Sequence, residues 1–207
     1  MANVKLNCKM NKKVLLFLSE GFEAYEASAF IDVIGWSRET DFEPVDLTTT
    51  GFRSEYNCYW NLIVKPEIPF DQIKVEEYDA LAIPGGCPAA GFLEDVYDER
   101  FLNLIREFDK QNKIIASICV AALPVGKSGV LRNRKATTWD LKDTADRQKE
   151  LADFGAIVLD KQMVIDGNII TCTGPAPALD VAFALLEMLT SIENVMKVKR
   201  NMRFVQN

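Results

Sequence analysis

Short uncharged apolar runs alternate along the chain with longer segments in which apolar residues recur at helical spacing. Continuous runs rich in Val, Ile and Leu are typical of strands that are buried on both faces of a parallel sheet. The pattern predicts strands over residues 14–18, 42–47, 62–64, 80–83, 114–118 and 135–139. Because Pro44 cannot donate a ladder hydrogen bond, we expect the second of these strands at a sheet edge.

Helical spacing predicts helices over residues 25–38, 98–111, 142–154 and 175–189, and a last helix from Ser191. Gly155 is well placed to cap the third of them. Asp166-Gly167, between apolar strands 163–165 and 168–172, indicates a hairpin with a type I′ turn. We expect residues 1–11 to form a polar lead-in and residues 12–207 to form a single domain.

The alternation of strands and helices predicts an α/β fold with a mainly parallel sheet. In such folds the site lies beyond the carboxyl ends of the strands, near a topological switch point. The turns after Leu18, Ile83 and Ile118 all have this position. They carry several residues with possible chemistry, namely Glu20, Glu23, Glu26, Gly85-Gly86 and Cys119.

The composition narrows the class of function. The chain has 207 residues, of which 48% are hydrophobic, and a net charge of −6, which argues against binding to nucleic acid or to anionic membranes. It has no apolar run of membrane-spanning length, and its first residues lack the apolar stretch of a secretory signal, so we expect neither a membrane span nor a signal. The five cysteines are scattered without a CxxC pair, so we expect a reducing, cytoplasmic setting, no disulfide framework, no metal and no cofactor.

The sequence contains no histidine. This absence excludes Ser-His-Asp and Cys-His machinery and the HExxH zinc site. Acid–base chemistry in this chain must therefore use carboxylates, thiols, amines or water.

Cys119 is the candidate nucleophile, because it follows a buried strand and precedes a helix-compatible segment. The helix N-terminus favours thiolate over thiol, so we expect a depressed pKa for Cys119. Ser117 and Ala121 are small, as a sharp turn with an exposed nucleophile requires. A buried, inert cysteine fits this stretch equally well.

Glu26 and the glycines supply the candidate partners of Cys119. A half-buried Glu26 can stay protonated and donate a hydrogen bond to a thiolate, although a surface glutamate at a helix N-terminus is the simpler interpretation. The N–H groups of Gly86 and Val120 are candidate oxyanion donors, whereas Pro-Gly-Gly also suits a plain tight turn.

Four segments resemble, in the same order, the ThiJ/PfpI superfamily, whose flavodoxin-like domains are related to class I glutamine amidotransferases. They are GFEAYEA after VLLFL, AIPGG after YDA, ASICVAALPVGKSGVLRNRKATTWD, and DGNIITCTGPAPALDVAFALLEML. The resemblance covers roughly residues 12–189. It implies a flavodoxin-like three-layer sandwich with a cysteine nucleophile elbow.

The resemblance also implies the site. Cys119 would be the nucleophile, Glu26 its carboxylic acid partner, and Gly86 and Val120 the backbone oxyanion donors. Further pocket candidates are Gly85, Cys87, Trp139 and Pro175. Members are usually homodimers, or hexamers in the protease-like branch. In the first predicted helix Phe30, Ile34 and Trp36 cannot all face one sheet, so we expect a homodimer.

Many members place a histidine directly after the nucleophile or in a later segment. Here those places hold Val120 and Trp139, which argues against a peptidase or amidase. The histidine-poor branch includes glyoxalase or deglycase chemistry, isonitrile hydration and oxidative-stress sensing. We therefore expect an enzyme that acts on small electrophiles through Cys119 and Glu26. The alternatives are a redox sensor in which Cys119 is oxidised without turnover, and a binding module in which Cys119 is incidental.

Overall fold

The computed structural model describes residues 11–39, 43–141 and 146–205. The strands are β1 (Lys12–Phe17), β2 (Val45–Gly51), β3 (Tyr56–Asn57), β4 (Ile63–Val64), β5 (Ile68–Pro69), β6 (Ala80–Ile83), β7 (Ile114–Ser117), β8 (Lys135–Ala136), β9 (Ile157–Val158), β10 (Met163–Asp166) and β11 (Ile169–Cys172). The helices are α1 (Ala24–Trp36), α2 (Phe92–Val96), α3 (Glu99–Lys110), α4 (Ala122–Lys127), α5 (Arg147–Asp153), α6 (Ala178–Leu189) and α7 (Ile192–Asn201). Single 3-10 turns lie at Phe70–Gln72, Val75–Glu77, Pro88–Ala90 and Cys119–Ala121.

Seven strands form the central sheet in the order β10-β11-β7-β6-β1-β2-β5. All neighbours in it pair in parallel except the β10–β11 hairpin. Parallel strands with helical crossovers bury both faces of a sheet. The predicted α/β class with a mainly parallel sheet is therefore confirmed.

Alternate residues of β1 enter two separate cores, one on each face of the sheet. Val14 and Leu16 pack in the core that contains residues of α1, α6 and α7. Leu15 and Phe17 pack in the core that contains residues of α2, α3, α4 and α5. This arrangement is the expected flavodoxin-like three-layer sandwich.

The switch point of the sheet lies at β1, which pairs with β2 on one side and with β6 on the other. Because β7 follows β6 in the sheet, the carboxyl ends of β1, β6 and β7 are neighbours. The three turns singled out in the sequence therefore leave the same edge of the sheet side by side. No helix in the described ranges is both long and apolar enough to cross a membrane.

Several predicted boundaries are wrong. The second strand begins at Val45 and continues to Gly51, and it lies between β1 and the short β5 rather than at an edge. Pro44 precedes this strand, so its missing N–H removes no ladder bond. The predicted strand 135–139 shrinks to β8, which pairs with β9 outside the main sheet.

The hairpin turn is formed by residues 167 and 168, since Asp166 still pairs with Ile169. Of its two central residues only Gly167 has a positive φ, of 61°, so the turn is not type I′. Gly155, with a φ of 95°, follows α5 as predicted. Residues 1–10, 40–42 and 142–145, on which parts of the lead-in, the second strand and the third helix were predicted, lie outside the described residues.

Helix α1 divides its large apolar residues between core and surface. Phe30 and Ile34 are buried, whereas Ile31 and Trp36 are exposed. The three residues Phe30, Ile34 and Trp36 therefore do not all face the sheet, as the spacing predicted, and Trp36 is the one that does not. The homodimer itself stays a prediction.

We expect Phe101→Ala to lower the free energy of unfolding by about 3–5 kcal/mol, because large core truncations leave cavities. The ring of Phe101 is fully buried and stacks on Phe17 with a centroid distance of 3.8 Å. Urea denaturation measures the change. Trp36→Ala on the exposed side of α1 is the control, with an expected loss below about 1 kcal/mol. Equal losses in the two variants would contradict the described packing.

Candidate functional site

Cys119 adopts a backbone conformation that side chains other than glycine rarely take. Its φ is 61°, and it is the first residue of the 3-10 turn that connects β7 to α4. Such a conformation costs on the order of 1–3 kcal/mol and persists only when its surroundings enforce it. The Ile118 N–H donates to Ile83 O at 3.1 Å, and the Thr138 hydroxyl donates to Cys119 O at 3.0 Å. The strand–turn–helix elbow predicted at Cys119 is therefore present.

The turn after β6 passes very close to this elbow. A Cβ built on Gly85 would lie 2.9 Å from the Cβ of Cys119 and 2.8 Å from Oε2 of Glu26. A Cβ on Gly86 would lie 2.5 Å from Gly21 O. Only glycine fits at these two positions, and the reason is close approach rather than positive φ.

Glu26 lies in the first turn of α1 and is fully buried. Its Oε2 accepts a hydrogen bond from the Gly85 N–H at 2.6 Å. Its Oε1 has no hydrogen bond of standard geometry within the described part of the chain. The interpretation of Glu26 as a surface residue is therefore excluded.

Burial raises the pKa of Glu26 to about 8. The Gly85 N–H and the Cys119 thiol lower this pKa, while the negative charge of Glu23 raises it further. Burial therefore outweighs the hydrogen bond, and Glu26 carries its proton at neutral pH. This protonation state matches the expectation from the sequence, but the cause is full burial rather than a half-buried pocket.

The expected depression of the Cys119 pKa is wrong. Burial and the negative charge of Glu26 raise the pKa of the Cys119 thiol well above its ordinary value, and the Val120 N–H only partly offsets them. The helix that follows is short and begins only after a 3-10 turn, so its N-terminal field contributes little at the sulfur. Cys119 and Glu26 are thus a coupled pair whose two acidic groups both hold protons near neutral pH.

Cys119 and Glu26 line a cavity of about 370 Å³, within the usual range for small-molecule sites. The predicted residues that also line it are Gly86, Cys87, Val120, Trp139 and Pro175. Gly85 does not line the cavity and instead donates its N–H to Glu26. Cys58 and Cys172 are buried, and burial raises the pKa of Cys172 to about 11, which fits a structural thiol.

Sequence reasoning missed the other wall of the cavity. Tyr59, Trp60 and Pro88 also line it, together with Glu23, which the sequence had singled out only as a turn residue with possible chemistry. Tyr59 and Trp60 lie between β3 and β4, in a segment interpreted only as polar and aromatic. Two adjacent large aromatic residues in a polar segment were the available signal, because such residues are costly to expose without a function. Within the described ranges no cluster of three or more His, Cys, Asp or Glu residues is suited to hold a metal ion.

Comparison with known proteins identifies the family. The model of the DJ-1/PfpI family matches residues 12–188. The chain belongs to the DJ-1/PfpI family. The superfamily resemblance read from the four sequence segments is therefore confirmed.

Several family members are similar to this chain. Protein dj-1beta of Drosophila melanogaster is 24% identical over 96% of this chain and all of its own, and its crystal structure matches the fold with a TM-score of 0.80. An isonitrile hydratase of Pseudomonas putida is 29% identical over 69% of this chain and 58% of its own. A deglycase of Pyrococcus horikoshii is 33% identical over 55% of this chain and 63% of its own.

The raised pKa of Glu26 predicts how stability depends on pH. Below pH 4.5 the carboxyl is protonated in both the folded and unfolded states. Between pH 4.5 and about 8 the folded state keeps a proton that the unfolded state loses, so stability falls as pH rises. The free energy of unfolding of Glu26→Gln should not fall in this way. Relative to wild type it should therefore rise by about 3 kcal/mol between pH 4.5 and 7, at 1.36 kcal/mol per pKa unit.

Urea denaturation of both proteins at the two pH values tests this expectation. Glu76→Gln is the matched control, because it makes the same substitution at an exposed position. A Glu26→Gln difference that does not change with pH would show that Glu26 ionises normally in the folded state.

Proposed function

We propose that this protein is a cysteine-dependent, cofactor-independent enzyme that converts small electrophilic carbonyl compounds by glyoxalase- or deglycase-like chemistry. Cys119 is the nucleophile and Glu26 carries the proton. The observation that carries the proposal is the buried Glu26 carboxyl beside the Cys119 elbow in one cavity. A peptidase or amidase is less well supported, because the chain has no histidine.

The protonation of the pair sets the starting state. With the pKa of Glu26 at about 8 and that of Cys119 higher, the first proton leaves from the carboxyl. The resulting Glu26 carboxylate is the general base for the thiol. The reactive form of the enzyme is therefore the pair with a single proton, which becomes more abundant as pH rises toward 8.

The first chemical step is addition of sulfur to the aldehyde carbon of a 2-oxoaldehyde. The S–C bond forms as Glu26 takes the thiol proton, and the carbonyl oxygen becomes an oxyanion. The Gly86 and Val120 N–H groups are the proposed donors to this oxygen. No described backbone or side-chain group accepts the Gly86 N–H, whereas the N–H groups of its neighbours Gly85 and Cys87 donate to Glu26 and to Gly21 O.

The second step is an isomerisation in which one carboxyl serves twice. The oxyanion takes the proton from Glu26 and gives a hemithioacetal. Glu26 then removes the proton from the former aldehyde carbon to give an enediolate. The hydroxyl proton on that carbon passes to the neighbouring oxygen, and Glu26 returns its proton to the neighbouring carbon, which yields a 2-hydroxy thioester. Water hydrolyses the thioester and frees the thiol. Methylglyoxal plus water thus gives lactate, with no net oxidation or reduction.

The activities named for two relatives support this class of chemistry without fixing the substrate. A deglycase and an isonitrile hydratase are among the similar proteins. This chain spans less than two thirds of the length of either one. Hydration of an isonitrile would also begin with addition to an electrophilic carbon, so it is the nearest alternative activity.

A redox sensor without turnover is the second candidate. Cys87 lines the same cavity as Cys119, which places a second thiol near an oxidised one. The raised pKa of Cys119 argues against it, because peroxide reacts with thiolate and the thiolate fraction is small at neutral pH.

We expect kcat/KM for methylglyoxal to rise about tenfold per pH unit below pH 8 and to level off above it, because the base must be ionised. Cys119→Ala should abolish turnover. Glu26→Gln should lower it about 10²- to 10⁴-fold, since the amide cannot carry the proton. The rate of lactate formation measures the activity of wild type, Cys119→Ala and Glu26→Gln.

Glu76→Gln, at an exposed position away from the cavity, is the matched control for loss of one carboxylate. A Glu26→Gln protein that turns over as fast as wild type would remove Glu26 as proton carrier. Rapid peroxide oxidation of Cys119 in a protein without turnover on small electrophiles would favour the sensor.

A further inference from the structure

Two aromatic side chains stand exposed at the wall of the cavity. Tyr59 and Trp60 are 43% and 65% exposed, and their ring centroids lie 4.3 Å apart. Both line the cavity that contains Cys119. Exposed aromatic surface of this size is costly in water, and a ligand that covers the rings would recover part of the cost.

The segment that carries these rings is fixed to the turn after β1. The Tyr59 N–H donates to Phe22 O at 2.9 Å, and the Gly21 N–H donates to Asn57 O at 2.9 Å. The Trp60 ring is held as well, by a bond from its side chain. The aromatic wall is therefore preorganised, which lowers the entropic cost of binding a ligand.

That side-chain bond joins Trp60 to Glu23. The Nε1–H of Trp60 donates to Oε2 of Glu23 at 2.8 Å. Oε1 of Glu23 accepts the Tyr25 N–H at 3.4 Å and caps α1. Helix capping alone would explain a short polar residue at this position, but not the bond to Trp60 or the place of Glu23 in the cavity wall. A carboxylate has about four acceptor sites, so both oxygens can still receive a ligand.

The described residues that line the cavity include carboxyl groups but no basic side chain. Among the described residues that line the cavity, Glu23 and Glu26 are acidic and none is Lys or Arg. An anion in this cavity would lose hydration and meet a carboxylate without a compensating charge. A cation would meet the Glu23 carboxylate together with the rings of a tyrosine and a tryptophan, which are among the side chains that attract cations.

We propose that the cavity takes an electrophile whose non-reacting end is a cationic group of the ammonium type, held by Glu23 and the aromatic rings of Tyr59 and Trp60. The identity of the reacting end rests on the proposed function. The preference for positive charge does not, because it follows from the wall opposite the thiol. Glu23 is thus a specificity-determining residue.

The test uses three soluble probes of the same shape and different charge: choline, its neutral isostere 3,3-dimethylbutan-1-ol, and 3,3-dimethylbutanoate. NMR titration at pH 6, where a pKa of about 8 keeps Glu26 protonated, isolates the charge of Glu23. The indole N–H signals of Trp60 and Trp139 report on the cavity. Trp36, on the exposed side of α1 and outside the cavity, is the internal control.

Choline should shift the Trp60 and Trp139 signals and leave Trp36 unchanged. Its affinity should exceed that of the neutral isostere by about tenfold or more. Dimethylbutanoate should not saturate the site. Equal affinities, tighter binding of the anion, or shifts confined to Trp36 would overturn the proposal.

Two variants test whether Glu23 causes the preference for choline over the neutral probe. Glu23→Gln should remove most of the preference for choline, leaving only the part that the two aromatic rings supply, and leave the neutral affinity as in wild type. Glu76→Gln, with the same change in net charge, should leave both affinities unchanged. A choline preference as large in Glu23→Gln as in wild type would overturn the assignment to Glu23.

Methylglyoxal turnover of the same proteins separates the two proposals. A choline preference without turnover would support the cationic specificity and count against the proposed function. Turnover without a choline preference would support the proposed function and count against the cationic specificity.

Discussion

The site depends on the burial of one carboxyl group against one thiol. Glu26 is fully buried, and its hydrogen bond from Gly85 is too weak to offset the lost hydration of a carboxylate. The carboxyl therefore keeps its proton, and its potential negative charge raises the pKa of Cys119 in turn. Since the ionisation of either group disfavours that of the other, the pair behaves as one acid that changes charge near pH 8.

The fold makes this contact possible by bringing three turns to one edge of the sheet. Parallel pairing of β1, β6 and β7 aligns their carboxyl ends. Gly85 and Gly86 then allow the backbone after β6 to approach Cys119 and the turn after β1 more closely than any side chain would permit. The strained φ of Cys119 is enforced by the hydrogen bonds on either side of it. The packing of the two cores therefore stabilises two locally unfavourable features, the buried carboxyl of Glu26 and the positive φ of Cys119.

Much of this arrangement follows from local sequence. Buried strands identify the parallel sheet, and the turn residues at their ends identify Cys119, Glu26 and the glycines. The sequence could not give the sign of the Cys119 pKa shift, because the shift depends on burial that only the packed structure sets. Tyr59 and Trp60 were missed because the hairpin that holds them is anchored through backbone bonds to the turn after β1, which carry no sequence signature. Pro44 was misread because one residue decides whether a proline precedes a strand or interrupts it.

The most direct measurement of the central claim is a ¹³C NMR titration of the Glu26 side-chain carboxyl in protein with labelled glutamate, assigned with Glu26→Gln. The account predicts that this resonance titrates near pH 8, and that Cys119→Ala moves its midpoint because the two groups are coupled. A midpoint near 4.5, the ordinary value for glutamate, would contradict it, since Glu26 would then be ionised throughout the neutral range.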